Sequence, residues 1–225
     1  MNVLDNPVFH GLRTRQSHLA EGSTLAFRFL PSVSIFAAAR DLSEDAITAL
    51  GEMVPENGGI AMLQRDKVST PAGCEGADLG WGYQLTMAHP EKLVPDIDMV
   101  ELGEADFAEM FDLANLTKPG PFLMGTPRMG GFIGVKTGGK LIAMAGERFK
   151  PEGATEISAV CTHPDFRGKG IAGALSSMAA RRILARGEIP FLHSWSTNTA
   201  AIALYEKLGF EKRCEVFVKR LTRSA

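Results

Sequence analysis

The stretch that decides the fold is residues 160–175, which read V-C-T-H-P-D-F-R-G-K-G-I-A-G-A-L. An apolar run ends at its start, and an apolar stripe at helical spacing follows Gly170, so a glycine-rich turn joins a strand to a helix. The first four N–H groups of a helix have no partner within it, and the helix dipole adds partial positive charge there. With Arg167 and Lys169 beside it, this turn predicts an anion-binding cradle.

Two other phosphate-binding motifs fit this turn less well. A Walker A loop needs a lysine after its second spaced glycine, whereas Lys169 lies between two glycines. Residues 168–173, G-K-G-I-A-G, do match the dinucleotide fingerprint G-x-G-x-x-G. That fingerprint belongs to repeated βαβ units, and here the turn follows three hairpin-like strands. The sequence therefore disfavours a nicotinamide-dependent enzyme.

Residues 97–225 alternate between helix and strand patterns. Apolar runs predict strands and stripes at helical spacing predict helices, in the order strand, helix, three strands, helix, strand, helix, strand. The pair Gly138-Gly139, between the second and third strands, is typical of a β-hairpin. The predicted strands cover 98–102, 132–136, 140–147, 155–162, 190–195 and 215–221.

Residues 1–96 give weaker patterns, with short strands and one capped helix predicted. The strand at 83–88 follows a glycine-rich loop at 69–82. A polar segment with two prolines, 89–96, comes next and suits an extended connection. We therefore predict a boundary there, between an N-terminal α/β region at 1–96 and a second domain at 97–225.

A second block lies near the C-terminus and reads N-T-A-A-I-A-L-Y-E-K-L-G-F at residues 198–210. Arg167, Gly170 and Ala172 form the pattern R-x-x-G-x-A, in which Ala172 is a small residue in place of glycine. Together the two blocks resemble the GNAT superfamily of acyl-coenzyme A-dependent N-acyltransferases, over about residues 97–225. The phrase G-E-I-P-F-L-H before the second block is similar to the branch that includes glycine N-acyltransferase-like proteins.

This resemblance implies an α/β (α+β) fold. Its central sheet would be mixed but mostly antiparallel, splayed between its fourth and fifth strands and flanked by helices. Residues 97–225 would form the catalytic GNAT acetyltransferase domain. Residues 1–96 would be either a degenerate GNAT-like half or a plain N-terminal extension. Acetyl-CoA is the implied cosubstrate.

The resemblance also implies a role for each residue of the two motifs. The backbone of Val160, Cys161 and Thr162 would bind the pantetheine arm of coenzyme A, as a sheet edge binds an added peptide strand. Asn198 would bond the same arm or cap its helix, and Tyr205 would stand near the sulfur. The amides that would hold the pyrophosphate are those of Arg167, Gly168, Lys169, Gly170, Ile171, Ala172 and Gly173.

Acyl transfer from a thioester to an amine has three chemical requirements. The amine must lose its proton, because amines are largely charged at neutral pH. A backbone N–H at Val160–Cys161 would stabilise the tetrahedral oxyanion, and Tyr205 would protonate the leaving thiolate. Tyr205 lies two helical turns after Asn198, so one helix would serve both the arm and the sulfur. A core tyrosine on an apolar face is the alternative.

Two side chains are candidates for the general base. Glu156 shares the strand alternation of Ser158, Val160 and Thr162, which predicts it on the coenzyme face. Some GNAT enzymes place a general-base glutamate at the matching position. His193 in the fifth strand is the rival, since imidazole titrates near neutral pH. We rank Glu156 first, with a water molecule able to carry the proton to either residue. The structural alternative for Glu156 is an ion pair with a neighbouring cation, and the alternative for His193 is a hydrogen-bonded strand histidine.

Composition limits the partners and the compartment. The 24 Lys and Arg residues against 26 Asp and Glu give a net charge of −2, without a basic surface for nucleic acid or an anionic membrane. The three cysteines are widely spaced and indicate neither a disulfide framework nor a metal site. No apolar run is long enough for a membrane span, and no signal peptide is evident, so we expect a cytoplasmic protein. The oligomeric state is open, a homodimer included.

The leading hypothesis is therefore an N-acetyltransferase that acts by direct transfer in a ternary complex. The neutral surface favours a primary amine of a small molecule or an amino acid as acceptor, with a protein amine still open. A non-catalytic acyl-CoA-binding sensor module would keep the same cradle and is the competing class. Retention of both Tyr205 and Glu156 favours the enzyme.

Overall fold

The computed structural model of the chain describes residues 2–89 and 97–224, so the predicted boundary at residue 96 lies outside the described residues. Five α-helices and eleven strands are present in the described part, in mixed order. The helices are α1 (Pro7–Arg13), α2 (Glu44–Glu52), α3 (Phe107–Thr117), α4 (Ile171–Ala185) and α5 (Thr199–Lys207). The strands are β1 (Ala20–Gly22), β2 (Ala26–Phe29), β3 (Ala37–Ala39), β4 (Ile60–Gln64), β5 (Cys74–Thr86), β6 (Val100–Glu101), β7 (Ile133–Thr137), β8 (Lys140–Glu147), β9 (Ala154–Thr162), β10 (Ile189–Trp195) and β11 (Glu211–Arg223).

Eight strands form one large sheet, and β1–β3 form a separate sheet of three. The order in the large sheet is β4-β11-β5-β10-β9-β8-β7-β6; its described pairings are antiparallel, except that β9 and β10 are parallel. Helices α3 and α4 pack on β8 and β9 within two different apolar clusters, one on each face of the sheet. The predicted mixed α/β fold, with a mostly antiparallel sheet flanked by helices, is confirmed.

The turns follow the local signals in the sequence. Gly138 and Gly139 join β7 to β8 with φ angles of 58° and 79°, and two positive φ angles in succession are what a tight two-residue hairpin requires. Asn198 caps α5, since its side chain accepts a hydrogen bond from the backbone N–H of Ala201. Gly209, with φ at 92°, follows the end of that helix.

The sheet splays between β9 and β10, the fourth and fifth strands of residues 97–224. These strands pair from Ala154–Ile189 to Glu156–Phe191 and then diverge. Beyond that point β9 also carries a bulge, because Ala159 and Val160 together lie opposite a single residue of β8. Ala159 has a φ of 54°, which is unusual for a residue with a side chain. The predicted splay is confirmed.

Strand β5 is much longer than the sequence predicts. The predicted glycine-rich loop at 69–82 is wrong from Cys74 onwards, because β5 begins there and pairs with β11 along almost its whole length. The glycines permit close packing: a Cβ on Gly82 would lie 2.8 Å from the carbonyl oxygen of Ser194. Pairing with distant strands thus overrides a weak local propensity for strand.

The two parts of the chain repeat one topology. In each part three antiparallel strands precede a helix and then a strand parallel to the third: β1-β2-β3-α2-β4, and β7-β8-β9-α4-β10. The parallel contact in the first part is a bridge between Phe36 and Ala61. Strands β5 and β11 pair with each other, and each also pairs with the other part, β5 with β10 and β11 with β4. One continuous sheet therefore joins the two parts.

Aromatic packing adds to this connection. Phe149, which follows β8, is fully buried and contacts Phe29 and Phe36 of the N-terminal region, with ring centroids 6.0 and 5.1 Å apart. The N-terminal region thus reaches the splay, where the site lies.

Across residues 2–89 and 97–224, the helices lack the combination of length and apolar character that crossing a bilayer requires.

Candidate functional site

A cavity of about 830 Å³ opens where β9 and β10 diverge. Its walls come from β9, the glycine-rich turn, β10 and α5, with Phe36 and Leu63 contributed by the N-terminal region. Both sequence motifs meet there. Among the predicted site residues, Lys169 and Glu156 are not in its walls. Those that line it are Val160, Cys161, Thr162, Arg167, Gly168, Gly170, Ile171, Ala172, Gly173, His193, Asn198 and Tyr205.

The glycine-rich turn presents open backbone to the cavity. Gly168 and Gly170 have φ angles of 77° and 76°, a conformation that strains residues with a side chain. No described atom lies within 4 Å of the position of a Cβ on Gly168. Gly170 is the N-cap of α4 and has no side chain with which to cap it, so the first amides of the helix are left for a ligand. A diphosphate group fits this arrangement.

Polar groups next to the turn also suit a ligand. Nε of Arg167 donates to the carbonyl oxygen of Thr162 at 3.3 Å, which holds the guanidinium beside the turn. Nζ of Lys169 lies 5.1 Å from the ring centroid of Phe166. Oγ1 of Thr162 is buried and has no hydrogen-bond partner among the described residues. A buried hydroxyl in that state is stabilised when a bound molecule supplies the partner.

The bulge at Ala159 reverses the side-chain alternation of β9. One extra residue of β9 is inserted there relative to β8. As a result Val160 packs with the apolar cluster beneath α4, on the face that carries Ile157. Glu156 precedes Ile157 in the strand and faces the opposite side. The prediction that Glu156 shares a face with Val160 and Thr162 is therefore wrong.

Helix α5 brings Tyr205 to the cavity. The Tyr205 ring packs edge-on against Phe210, with centroids 5.9 Å apart, and its hydroxyl donates no hydrogen bond within the described residues. Burial raises the pKa of Tyr205 to about 12. The phenol is therefore protonated at neutral pH and has a proton to donate.

Glu156 is fully buried, and its carboxylate is hydrogen-bonded to Arg148 and His193. Nε of Arg148 lies 2.8 Å from Oε2, and Nη2 lies 2.5 Å from Oε1. Nδ1 of His193 lies 2.7 Å from the same Oε1. Burial alone would raise the pKa of Glu156, but the charge of Arg148 and the hydrogen bonds from Arg148 and His193 outweigh burial and lower that pKa to about 2. Glu156 is thus a carboxylate whose oxygens are already engaged.

His193 is held at both ring nitrogens. Nδ1 faces Glu156, and Nε2 lies 3.0 Å from Nε2 of Gln84. The amide of Gln84 is oriented by two further bonds, one to the Leu4 carbonyl and one from Arg213 to its Oε1. The amide nitrogen therefore donates to Nε2 of His193, and Nδ1–H of the imidazole donates to Oε1 of Glu156.

Cys161 does not have the properties of a nucleophile. Its side chain belongs to the apolar cluster beneath α3. Burial raises the pKa of the Cys161 thiol to about 11, so the thiolate is scarce at neutral pH. Only its backbone is suited to contact a ligand in the cavity.

Charge in the cavity is of one sign. The charged residues among its described walls are Lys118, Arg148 and Arg167, with no aspartate or glutamate. Arg148, Gln84 and Phe36 are not among the site residues that the sequence predicts. A sequence signal for Arg148 existed, since it directly follows the third predicted core strand. In the structure its backbone N–H donates to the Glu156 carbonyl oxygen. Gln84 and Phe36 gave none, because they reach the site from the N-terminal region.

Known acetyltransferases resemble parts of this chain in sequence. A family model described as FR47-like protein matches residues 132–218. A segment of 62 residues is 47% identical to an acetyltransferase of Pectobacterium atrosepticum, and one of 62 residues is 44% identical to an acetyltransferase of Yersinia enterocolitica. These matches cover 26% of this chain and 43% of each relative. The chain thus spans less than half the length of the curated relatives it matches.

Solved structures extend the similarity to the whole chain. The crystal structure of a protein from Novosphingobium aromaticivorans, described as an acetyltransferase of the GNAT family, is 37% identical and covers 100% of both chains with a TM-score of 0.91. A GCN5-related N-acetyltransferase of Kribbella flavida has a TM-score of 0.68 over 98% of this chain and 96% of its own, at 13% identity, which is a likeness of fold. These similarities do not bear on the glycine N-acyltransferase-like branch, which stays a prediction.

Proposed function

The chain belongs to the GNAT family of acetyltransferases, and from that membership we propose that it transfers an acetyl group from acetyl-CoA to the primary amine of a small molecule or an amino acid. Transfer is direct, within a complex of protein, acetyl-CoA and amine. A bond forms between the amine nitrogen and the acetyl carbon, and the carbon–sulfur bond breaks. The amine proton goes to solvent, the sulfur takes a proton from Tyr205, and the Tyr205 phenolate then takes a proton from solvent.

One observation carries this proposal: an open helix N-terminus, a free strand edge and a protonated tyrosine converge on one cavity. Amides from Arg167 to Gly173 bind the diphosphate. The pairing of β9 with β10 ends at Glu156. Beyond that residue the edge of β9 can bind the amides of a pantetheine arm as it would bind an added strand. Thr162 gains a partner for its Oγ1. Acetyl-CoA, when bound, supplies the acetyl group as a reactive thioester.

Tyr205 is the general acid in this proposal. A phenol with a pKa of about 12 keeps its proton until a strongly basic group forms beside it. At Val160–Cys161, the backbone N–H of Val160 stabilises the oxyanion, because the bulge leaves Val160 without a regular partner on β8, whereas Cys161 pairs with Met144.

We assign no side chain as the general base. Glu156 is ion-paired outside the cavity wall, and Nε2 of His193 already accepts a hydrogen bond from Gln84. The cations in the cavity lower the pKa of a bound amine, so the amine binds in its neutral form and its proton leaves to water. Glu156 and His193 are positioning residues here, which hold Arg148 against the cavity wall.

For residues 1–96 we propose a degenerate GNAT-like half that closes the acceptor side of the catalytic domain at 97–225. The repeated topology supports this proposal. When the last parallel bridges of the two parts are aligned, Phe36 corresponds to Glu156 and Leu63 to His193. Apolar side chains thus stand where the second part has its polar pair, and both line the shared cavity.

Release of coenzyme A, followed with a thiol reagent across a panel of amines, tests the proposed function. We expect Tyr205→Phe to lower kcat at least about 100-fold, the contribution typical of general acid catalysis, and to leave the Kd for acetyl-CoA unchanged. Tyr83→Phe, at the chain's other tyrosine and outside the cavity, is the matched control. Tight binding of acetyl-CoA with no release on any amine would instead identify a non-catalytic sensor.

A further inference from the structure

Arg148 has a donor that the described part of the chain does not use. Its Nε and Nη2 bind Glu156, and its guanidinium carbon lies 4.9 and 4.4 Å from the ring centroids of Phe36 and Phe149. Within residues 2–89 and 97–224, Nη1 donates no hydrogen bond, although the side chain is only 14% exposed. A guanidinium can pair with two acceptors at once, because it has five N–H groups arranged in a plane.

The cavity around Arg148 defines the chemistry of the missing acceptor. Apolar side chains from both parts of the chain line this cavity, and Lys118 and Arg167 are the other charged residues among its described walls. Glu156 neutralises Arg148 but occupies one edge of its fork only. A molecule that brings a carboxylate to Nη1 supplies a charge-assisted hydrogen bond in an apolar setting, where such bonds are strongest. Phe36 contacts the guanidinium of Arg148, and the apolar residues that the N-terminal region and β11 contribute to the same cavity include Ile35, Phe36, Ala61, Leu63, Val216 and Val218.

We infer that the acceptor is an amine that also carries a carboxylate and an apolar side chain, an apolar α-amino acid, with its carboxylate bound to Nη1 of Arg148. This inference rests on the proposed function and names the acceptor class of the same site. The Glu156–His193–Gln84 chain keeps the guanidinium in place, since Glu156 fixes the opposite edge of the fork. Arg148 is thus the residue that selects the acceptor.

Three probes with the same apolar side chain test the inference: L-leucine, L-leucinamide and isoamylamine. We expect kcat/KM for coenzyme A release to be at least about tenfold higher with L-leucine than with either probe that lacks the carboxylate. Equal or higher kcat/KM with isoamylamine overturns the inference and leaves the acetyltransferase proposal intact. Binding of L-leucine and L-leucinamide to the coenzyme A-loaded protein is measured by calorimetry in parallel.

That binding measurement separates the two proposals. Selective binding of L-leucine without release of coenzyme A supports the carboxylate site and refutes acetyl transfer. Equal binding of L-leucine and L-leucinamide, or binding of neither, refutes the site.

Variants at Arg148 give an independent test. Arg148→Lys keeps a cation beside Glu156 but loses the second edge of the fork. We expect it to raise KM for L-leucine at least about tenfold and to leave KM for isoamylamine and acetyl-CoA unchanged. Arg181→Lys, at an exposed position on α4 outside the cavity, is the matched control. Equal loss with all three acceptors would mean that Arg148 is purely structural; if Arg148→Lys does not fold, the comparison of acceptors in the unaltered protein decides alone.

Discussion

Replacing Glu156 with glutamine separates a structural carboxylate from a catalytic base. Glu156→Gln keeps the shape of the side chain and removes its charge. Folding lowers the pKa of Glu156 from its ordinary value of 4.5 to about 2. A depression of that size corresponds to about 3 kcal/mol of stability at neutral pH, in the range measured when a buried ion pair loses one partner. A loss of about 3 kcal/mol lowers Tm by about 6–12 °C in a chain of this length.

The dependence on pH has a defined sign. Because the pKa in the folded state is depressed, the stabilisation from Glu156 is fully present above pH 4.5 and disappears as the pH falls towards 2. The difference in Tm between the unaltered protein and Glu156→Gln should therefore be constant between pH 6 and 8 and should narrow below pH 4.5. Circular dichroism melts across this range measure it, with Glu152→Gln, at an exposed glutamate, as the control.

Two results would refute the reasoning. A Tm within 2 °C of the unaltered protein at pH 7 would mean that the pair with Arg148 contributes little, whatever its distances. Unchanged stability together with a large fall in kcat and the loss of the acidic limb of the pH–rate profile would restore Glu156 as the general base.

Three further predictions concern the cradle, the thiol and the proton. Gly168→Ala should weaken acetyl-CoA binding up to about tenfold by calorimetry, because a side chain at φ 77° costs about 1–2 kcal/mol. Gly187→Ala, at φ 74° and outside the cavity, is the control: it has the same backbone cost and should leave the Kd unchanged. Cys161→Ala should keep kcat within about threefold in the coenzyme A release assay, because a thiol with a pKa of about 11 is inert at neutral pH. Loss of all coenzyme A release in this variant would indicate an acyl-enzyme. The pH profile of kcat/KM should follow the pKa of the acceptor amine and keep its shape in His193→Asn; loss of its acidic limb in that variant would make His193 the base.

The parts of the molecule that the sequence predicts are those specified by local signals. The hairpin at Gly138-Gly139, the cap at Asn198 and the turn around Gly170 each depend on a few adjacent residues. The order of elements in residues 97–225 follows from the same kind of signal. These features were predictable because their physical causes lie within a few residues.

The features that could not be predicted depend on contacts between distant segments. Strand β5 carries glycines that disfavour a strand, and its pairing with β10 and β11 stabilises it nevertheless. The left-handed conformation at Ala159 has no marker, because alanine ordinarily avoids it. That one residue reverses the alternation on which the placement of Glu156 depended. Arg148 gains its importance from Phe36, which lies in the other part of the chain.

The position of β5 between β10 and β11 has a consequence for biosynthesis. During translation β4 and β5 leave the ribosome well before β10 and β11, the strands that complete their hydrogen bonding in the large sheet. Until then the nascent chain holds unsatisfied strand edges, which favour association with other chains. We therefore expect completion of the large sheet to be a late and slow step of folding, because it depends on contacts between residues far apart in sequence. Cellular yield should respond to translation speed and to chaperones that shield such edges.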